Sequence, residues 1–449
     1  MKLGLSVNLH NMPAWHRKGR WRPQLLFTHQ SQGAVFSADT GAFQDVAGTL
    51  PVTTPGQSVA CLHDQSGLGL HATQSAPNSR PTFGRHPASG LRNRLPNTRM
   101  DGAATGVLGA GGALPAAWGI SNIPNSAVEV LSIAPKNGRP NTRIRLSGTP
   151  TGNMQINFTP PASVSSATGQ TWSGSAWVQM VGGSTANITG ASIINTHFST
   201  TGFLGGTNGG NFLDSLADDL RRAATGVLSG AGITNTRILL QLSLSGGAID
   251  IVLDISAPQL EQASEPSAVQ ITAANGFDVT EAGQDDVQYL GFDGVDDRLA
   301  FATPFGGQTS YMLAAAHDIA FLPAAPNEGI IFGGTGRFTK TVSSGLRWRN
   351  QAVDNQADFS TQSVQGRQVD IVQIDGPAAP QAWRSGQTAT ISTLAGSLSP
   401  LTGLSHIFNA GSAYSSGRFY AGALIPRALS GPERMTLQAW LATKAALSI

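Results

Sequence analysis

The chain has 449 residues, 28 of them basic and 26 acidic, for a formal charge of +2. That length allows two or three domains, each able to bury a core, and the 40% of aliphatic and aromatic residues excludes wholesale disorder. Only 12% of residues are charged and none form a basic block, which argues against a nucleic-acid binder, while the single cysteine, Cys61, excludes a disulfide framework or a cysteine zinc site and reads as a small buried residue.

In chain order, residues 1–7 form an apolar stretch too short for a signal peptide, and no run of 18 apolar residues follows anywhere. Residues 1–24 hold the densest basic-aromatic cluster, with Trp15, Arg17, Trp21 and Arg22 at its centre. Aromatic and arginine side chains are typical interface anchors, so this head reads either as an attachment segment or as an arm packed on its own fold. Residues 84–100 and 262–286 look like connectors. Residues 212–224 place Phe212, Leu213, Leu216 and Leu220 on one face and predict an amphipathic helix. Leu240, Leu242 and Leu244 alternate with polar or outward positions, as do Ile249, Ile251, Leu253 and Ile255, and the 369–374 stretch behaves similarly, which predicts strands with one buried face. Short strands between Gly, Asn, Ser, Thr and Pro clusters point to antiparallel sandwiches. Ser430, Pro432 and Glu433 form a capping box ahead of Met435, Leu437, Trp440 and Leu441, predicting a short terminal helix.

The chemistry-bearing candidates are few. Sugar rings stack on exposed aromatic faces, so Trp118, Trp172, Trp177, Trp348 and Trp383 are the ones to weigh against burial in a core. Trp172 and Trp177 are an odd number of positions apart, so a regular strand sends them to opposite faces and at most one is core. Trp348, flanked by Arg347 and Arg349 with Asn350 next, suits either a saccharide or a charge-protected edge strand. Asp293, Asp296 and Asp297 can offer oxygens to Ca²⁺ or simply cap a tight turn. Glycoside hydrolysis needs two carboxylates across the scissile bond, and no Glu-x-Asp-x-x-Glu strand occurs. Histidines show no metal-ligand spacing, and neither a phosphate loop nor a dinucleotide fingerprint is present.

Two separated segments resemble one family. Phe43-Gln44-Asp45 with Ala47-Gly48-Thr49, then His63-Asp64-Gln65-Ser66-Gly67 with His71-Ala72-Thr73-Gln74 and Arg80-Pro81, are similar to the opening of concanavalin A-like (laminin G-like) lectin domains in structural proteins of tailed phages and gene-transfer agents. The strand that follows in that family resembles Leu290-Gly291-Phe292-Asp293-Gly294-Val295-Asp296-Asp297, some two hundred residues later, and its closing features resemble Phe419 to Ile425 and Arg427 to Ser430. Between them, Arg92-Asn93-Arg94-Leu95, Gly169 to Gln179 and Pro258-Gln259-Leu260-Glu261 resemble carbohydrate-binding-module-like jelly rolls of phage fibres.

These resemblances imply an all-β chain of two antiparallel sandwiches, a concanavalin A-like jelly roll with a second jelly roll inserted, and a short C-terminal helix. The expected boundaries are 1–24 for the arm, 25–84 plus 285–449 for the lectin-like domain and 85–284 for the insert. The implied function is a virion fibre, spike or tail-tip component that attaches to host-surface polysaccharide, without enzyme activity. The alternative is an architectural component that binds only neighbouring virion proteins. Expected carbohydrate contacts are Trp118, Trp177, Trp348, Arg349 and Asn350, and expected attachment residues are Trp15, Arg17, Trp21 and Arg22. No cofactor is required, although Ca²⁺ at Asp293, Asp296 and Asp297 is admitted. The partners are other virion proteins and polysaccharide, with a homo-oligomer such as a trimer, and neither nucleic acid nor membrane insertion.

Overall fold

A computed structural model describes residues 22–448 apart from 160–163, 321–327, 342–344, 351–354, 361–365, 386, 397–399, 402 and 411–412. It is all-β with a terminal helix, and the chain divides into two compact units: residues 1–84 with 287–449, and residues 85–286.

The first unit joins strands from both ends of the chain. Ala34–Ser37 pairs antiparallel with Ser416–Ile425, which also pairs Ser310–Ala320 and the end of Asp286–Asp293. In the second layer Ala72–Thr73 pairs Leu299–Phe305, which continues to Leu404–Ile407 and Glu328–Gly334. Between the layers lies an aromatic core, with Phe36 stacked on Phe301 at 5.6 Å and Phe292 on Phe408 at 4.5 Å. The predicted helix runs over Gly431–Lys444 and begins with the capping box of Ser430 and Glu433. Arg427 and Ser430 hold the Glu433 carboxyl down at about 2. Its buried residues are Leu437, Gln438, Leu441 and Ala442, whereas Met435 is exposed. The helix covers the outer side of Gln368–Asp375, which explains why that strand is buried on both faces and does not simply alternate. Within that strand Asp370 is fully buried. It accepts two bonds from Arg384, at 2.7 and 2.9 Å, and lies 3.0 Å from His317 Nε2. Burial alone would raise its pKa, but Arg384 and His317 together hold it well below the usual carboxylate range.

The second unit is a sandwich of two six-stranded sheets. One contains Gly202–Asn208, Ile188–Ser199, Asn235–Leu244, Met154–Asn157 and Gly119–Ser121 in that order; the other runs Leu220–Val227, Thr171–Ser184, Ile249–Glu261, Asn141–Gly148, Val128–Ser132 and Gly106–Val107. Ile249, Ile251, Leu253 and Ile255 all enter its core, as their alternation requires.

Two expectations are corrected. Residues 212–224 are not a helix: a 3-10 turn at Leu213–Ser215 leads into the strand Leu220–Val227. Helical spacing lost because that strand pairs along Thr171–Val178, and only Leu216 of the presumed apolar face is fully buried while Leu220 is exposed. The stretches read as connectors are instead pinned parts of the second unit. Gln270–Thr272 and Val279–Glu281 form a hairpin, and the Gln270 carboxamide accepts from the Arg92 and Asn93 amides while donating to Gly90 O and Glu281. Asn93 in turn accepts from Leu95 and Leu260 and donates to Pro258 O.

Replacing Asp370 by Ala strands the buried Arg384 guanidinium and removes the partner of the His317 ring. It is expected to destabilise the first unit by about 3–5 kcal/mol, read as a lowered urea midpoint.

Candidate functional site

The two tryptophans of Thr171–Ser184 fall on opposite sides of their strand. In Thr171–Ser184 the core takes Trp172, Ala176 and Val178, so Ser175, Trp177 and Gln179 face away from it. Trp177 is half-buried, and its neighbours across the ladder are Arg221 and Ser256. The guanidiniums of Arg139 and Arg221 lie 4.6 and 5.0 Å from its ring centre, within the range of a cation–π contact.

Local geometry explains the delivery of Arg139. Asn137 and Gly138 both have positive φ, 49° and 74°, and Lys136 and Arg139 exchange backbone hydrogen bonds across them. This is the two-residue Asn-Gly hairpin turn. Arg139 and Asn137 both donate to Asp219 at 2.7 Å. Arg221 donates to Ser175 Oγ at 3.0 Å and to Ser267 O at 2.5 Å, and burial lowers its pKa. Asp254, nearly inaccessible, accepts from both Arg143 nitrogens at 2.8 and 3.0 Å and from Lys136 at 2.9 Å. Burial is the largest influence on its carboxyl and acts upward, but the cationic donors outweigh it and the pKa is lowered. The outcome is an aromatic ring framed by guanidinium, carboxylate and amide groups, a surface that can meet a sugar's C–H face and its hydroxyls together.

The other aromatic expectations are corrected. Trp348 is fully buried, edge-on to Tyr311 at 6.0 Å, because alternation along Gly345–Asn350 sends it into the core and Arg347 to the opposite side, where Arg347 pairs with Asp358. No face of Trp348 is available to a ligand. Arg349 beside it is half-buried, and the Asn350 side chain lies outside the described residues. Trp118 is only 9% exposed and packs edge-on to Phe158 at 4.9 Å while its indole N–H donates to Asn97 O, so it closes the core of the second unit. In the head, Trp15, Arg17 and Trp21 lie outside the described residues, and Arg22 is exposed just before the 3-10 turn Pro23–Phe27. Sequence reasoning missed Arg139, Arg221, Asp219 and Asp254. The Asn137-Gly138 dipeptide was a legible hairpin signal for the first of these, but nothing local linked it to Trp177.

In the first unit, Asp293, Asp296 and Asp297 offer carboxylate oxygens within 4.8 Å of one another. The turn accounts for part of this: Val295 N donates to Asp293 at 2.8 Å, Asp293 N to Asp297 at 3.0 Å and Ser79 Oγ to Asp296 at 2.7 Å. Asp297 is pushed up to about 7, first by burial and then by the charges of Asp293 and Asp296, against the pull of the Asp293 amide. Two carboxylates beside a third that resists ionisation could together hold a divalent cation, which would take the place of that proton.

No family model and no curated protein matches the chain. Solved structures with some likeness include the tripod (BppUct-A-L) of the bacteriophage Tuc2009 baseplate, at 8% identity, 79% of this chain, 98% of that chain and a TM-score of 0.28. Trypanosoma rangeli sialidase, in complex with the inhibitor DANA, gives 9% identity over 88% of this chain with a TM-score of 0.27; the match spans 61% of the sialidase. Likeness of this degree has no bearing on function.

The raised Asp297 pKa fixes a pH dependence. The folded protein keeps a proton there that the unfolded chain releases near 3.8, so this carboxyl's contribution to stability falls as pH rises from about 4 to about 7 and is level above. Glu433, held low, acts between about 2 and its unfolded value of 4.5, overlapping only the lower edge of that window and in the opposite sense. Thermal unfolding between pH 4 and 8 should show a flatter profile for Asp297→Asn than for the parent protein.

Proposed function

We propose that the protein is a structural component of a tailed-phage or phage-like particle, displayed as a fibre, spike or tail-tip element, that attaches to the host by binding cell-surface polysaccharide. The observation that carries the binding reading is Trp177. It is the half-exposed member of the candidate tryptophans Trp118, Trp177 and Trp348, set among guanidinium, carboxylate and hydroxyl groups. The virion context rests on the sequence resemblance, whose first segment supplies Ala72–Thr73, paired with Leu299–Phe305 just beyond its second.

Binding without catalysis is the favoured reading. The carboxylates nearest Trp177 are committed to fixed partners: Asp254 to Arg143 and Lys136, Asp219 to Arg139, and Glu261 to Gln259 and Ser267. A glycosidase acid must instead be free to carry and release a proton. A single sugar contact of this kind is weak, so several copies per particle, such as a trimer, would act through avidity. Ca²⁺ at Asp293, Asp296 and Asp297 would serve the stability of the turn rather than the Trp177 surface.

The test is adsorption of the isolated full chain to host cells and to a glycan array. The wild type is expected to be retained at high surface density, and Trp177→Ala to lose most of that retention at unchanged melting temperature. No retention by wild type would favour the architectural reading, in which the sandwiches bind neighbouring virion proteins. Release of reducing ends from polysaccharide would refute the non-enzymatic assignment.

A further inference from the structure

The opposite sheet of the second unit has its own outward side. Register fixes its members. Ala191, Ile193, Leu240, Leu242, Met154 and Ile156 enter the core, so the residues between them face away. Across the strands these align as Ser192 with Gln241 and Gln155, Ile194 with Leu239 and Asn157, Thr196 with Arg237, and Phe198 with Asn235.

Four features set this side apart. It is recessed: Ser192, Thr196, Asn157 and Leu239 are 8%, 7%, 8% and 1% exposed although they point away from the core. Asn157 Oδ1 is buried with no hydrogen-bond partner, which is costly unless something donates to it. Arg237 donates through Nε to Thr196 Oγ1 at 3.1 Å and lies 4.6 Å from the centre of the Phe198 ring, and among the described residues no carboxylate pairs with it. Burial lowers its pKa, the mark of a guanidinium short of a counter-charge. At the rim Phe203 packs edge-on to Phe198 at 5.7 Å and remains 63% exposed. Strand spacing puts Arg237 and Asn157 about 8 Å apart at the backbone, and Phe203, three strands from Asn157, lies about 14 Å or more from it, so linked sugar units rather than one ring are needed to reach all three.

We propose that this side binds an acidic saccharide, with the sugar carboxylate on Arg237, a hydroxyl donated to Asn157 Oδ1 and a C–H face against Phe203. A carboxylate matches the planar guanidinium donors. A neutral sugar would leave Arg237 without a counter-charge, and an inorganic anion would leave the amide and the aromatic rim unused. Gln155 donates to Gln241 at 3.1 Å, and this amide pair extends the polar surface along the strands for a longer chain. This site is independent of the one at Trp177.

The experiment is calorimetric titration of the full chain with galacturonate oligosaccharides and sialyllactose, against galactose oligosaccharides and lactose as neutral counterparts. At least one acidic ligand is expected to bind about tenfold or more tightly than its neutral counterpart. Arg237→Gln should weaken that binding about tenfold or more. Phe203→Ser, at an exposed position that leaves the core intact, should weaken it as well. Equal binding of acidic and neutral sugars, no binding of any acidic sugar, or wild-type affinity in both Arg237→Gln and Phe203→Ser would overturn the proposal. Loss confined to Trp177→Ala would overturn it too while sparing the function assigned to Trp177.

Discussion

Arg85, the first residue of the second unit, bonds Asp278 at 2.6 Å and Asp286, the last, at 2.7 Å, while Ala88 N donates to Asp285 O. This closure of one unit's two ends is the constraint on which the rest of the molecule depends. A segment of some two hundred residues can interrupt another domain only if its ends meet, and here an ion pair and a backbone bond make them meet. In the first unit the matching residues also lie together: a Cβ at Gly84 would sit 2.4 Å from the ring of Tyr289. Glycine is therefore required where the chain leaves that unit, and each unit can complete its own core.

Part of the small charge inventory is held in buried or half-buried ion pairs. Asp370 with Arg384 and His317, Asp254 with Arg143 and Lys136, and Arg347 with Asp358 are pairs or clusters in which the acid is nearly or fully buried. Such groups contribute little net stability over apolar replacements, but loss of one partner is severe. Asp254 and Asp358 tie strand to strand on the sides of their sheets that face away from the core, whereas Asp370 and Arg384 share the face of Val372, Ile374 and Ala382. The low charge content leaves the surface rich in amide and hydroxyl groups, with exposed ion pairs such as Arg145 with Asp250, a chemistry suited to many weak hydrogen bonds.

The two outward sides of the second unit show how this plays out. On one, Trp177 is crowded by arginines whose own partners are mostly in place. On the other, Arg237 and Asn157 are recessed yet incompletely partnered. Both sides follow from alternation along long strands, interrupted by register shifts at Ser175/Trp177, Met180/Gly182 and Ile188/Gly190.

Strand alternation at 249–255, the opposed faces of Trp172 and Trp177 and the Ser430–Glu433 capping box were all legible in the sequence, because each depends on residues within one turn or one strand. Where local pattern and long-range pairing competed, pairing won. Residues 212–224 carry helical spacing, yet residues 220–227 form a strand beside Thr171–Val178, and Trp348 carries polar flanks yet occupies the core. The site chemistry lay further out of reach still: Arg139 meets Trp177, and Arg237 falls two residues along from the partner of Asn157, only through register between strands distant in sequence. Periodicity by itself determined which residues turn inward or outward along a strand. Only the tertiary structure decided which outward residues become neighbours, because the hydrogen-bond ladder, and not the chain, sets that distance.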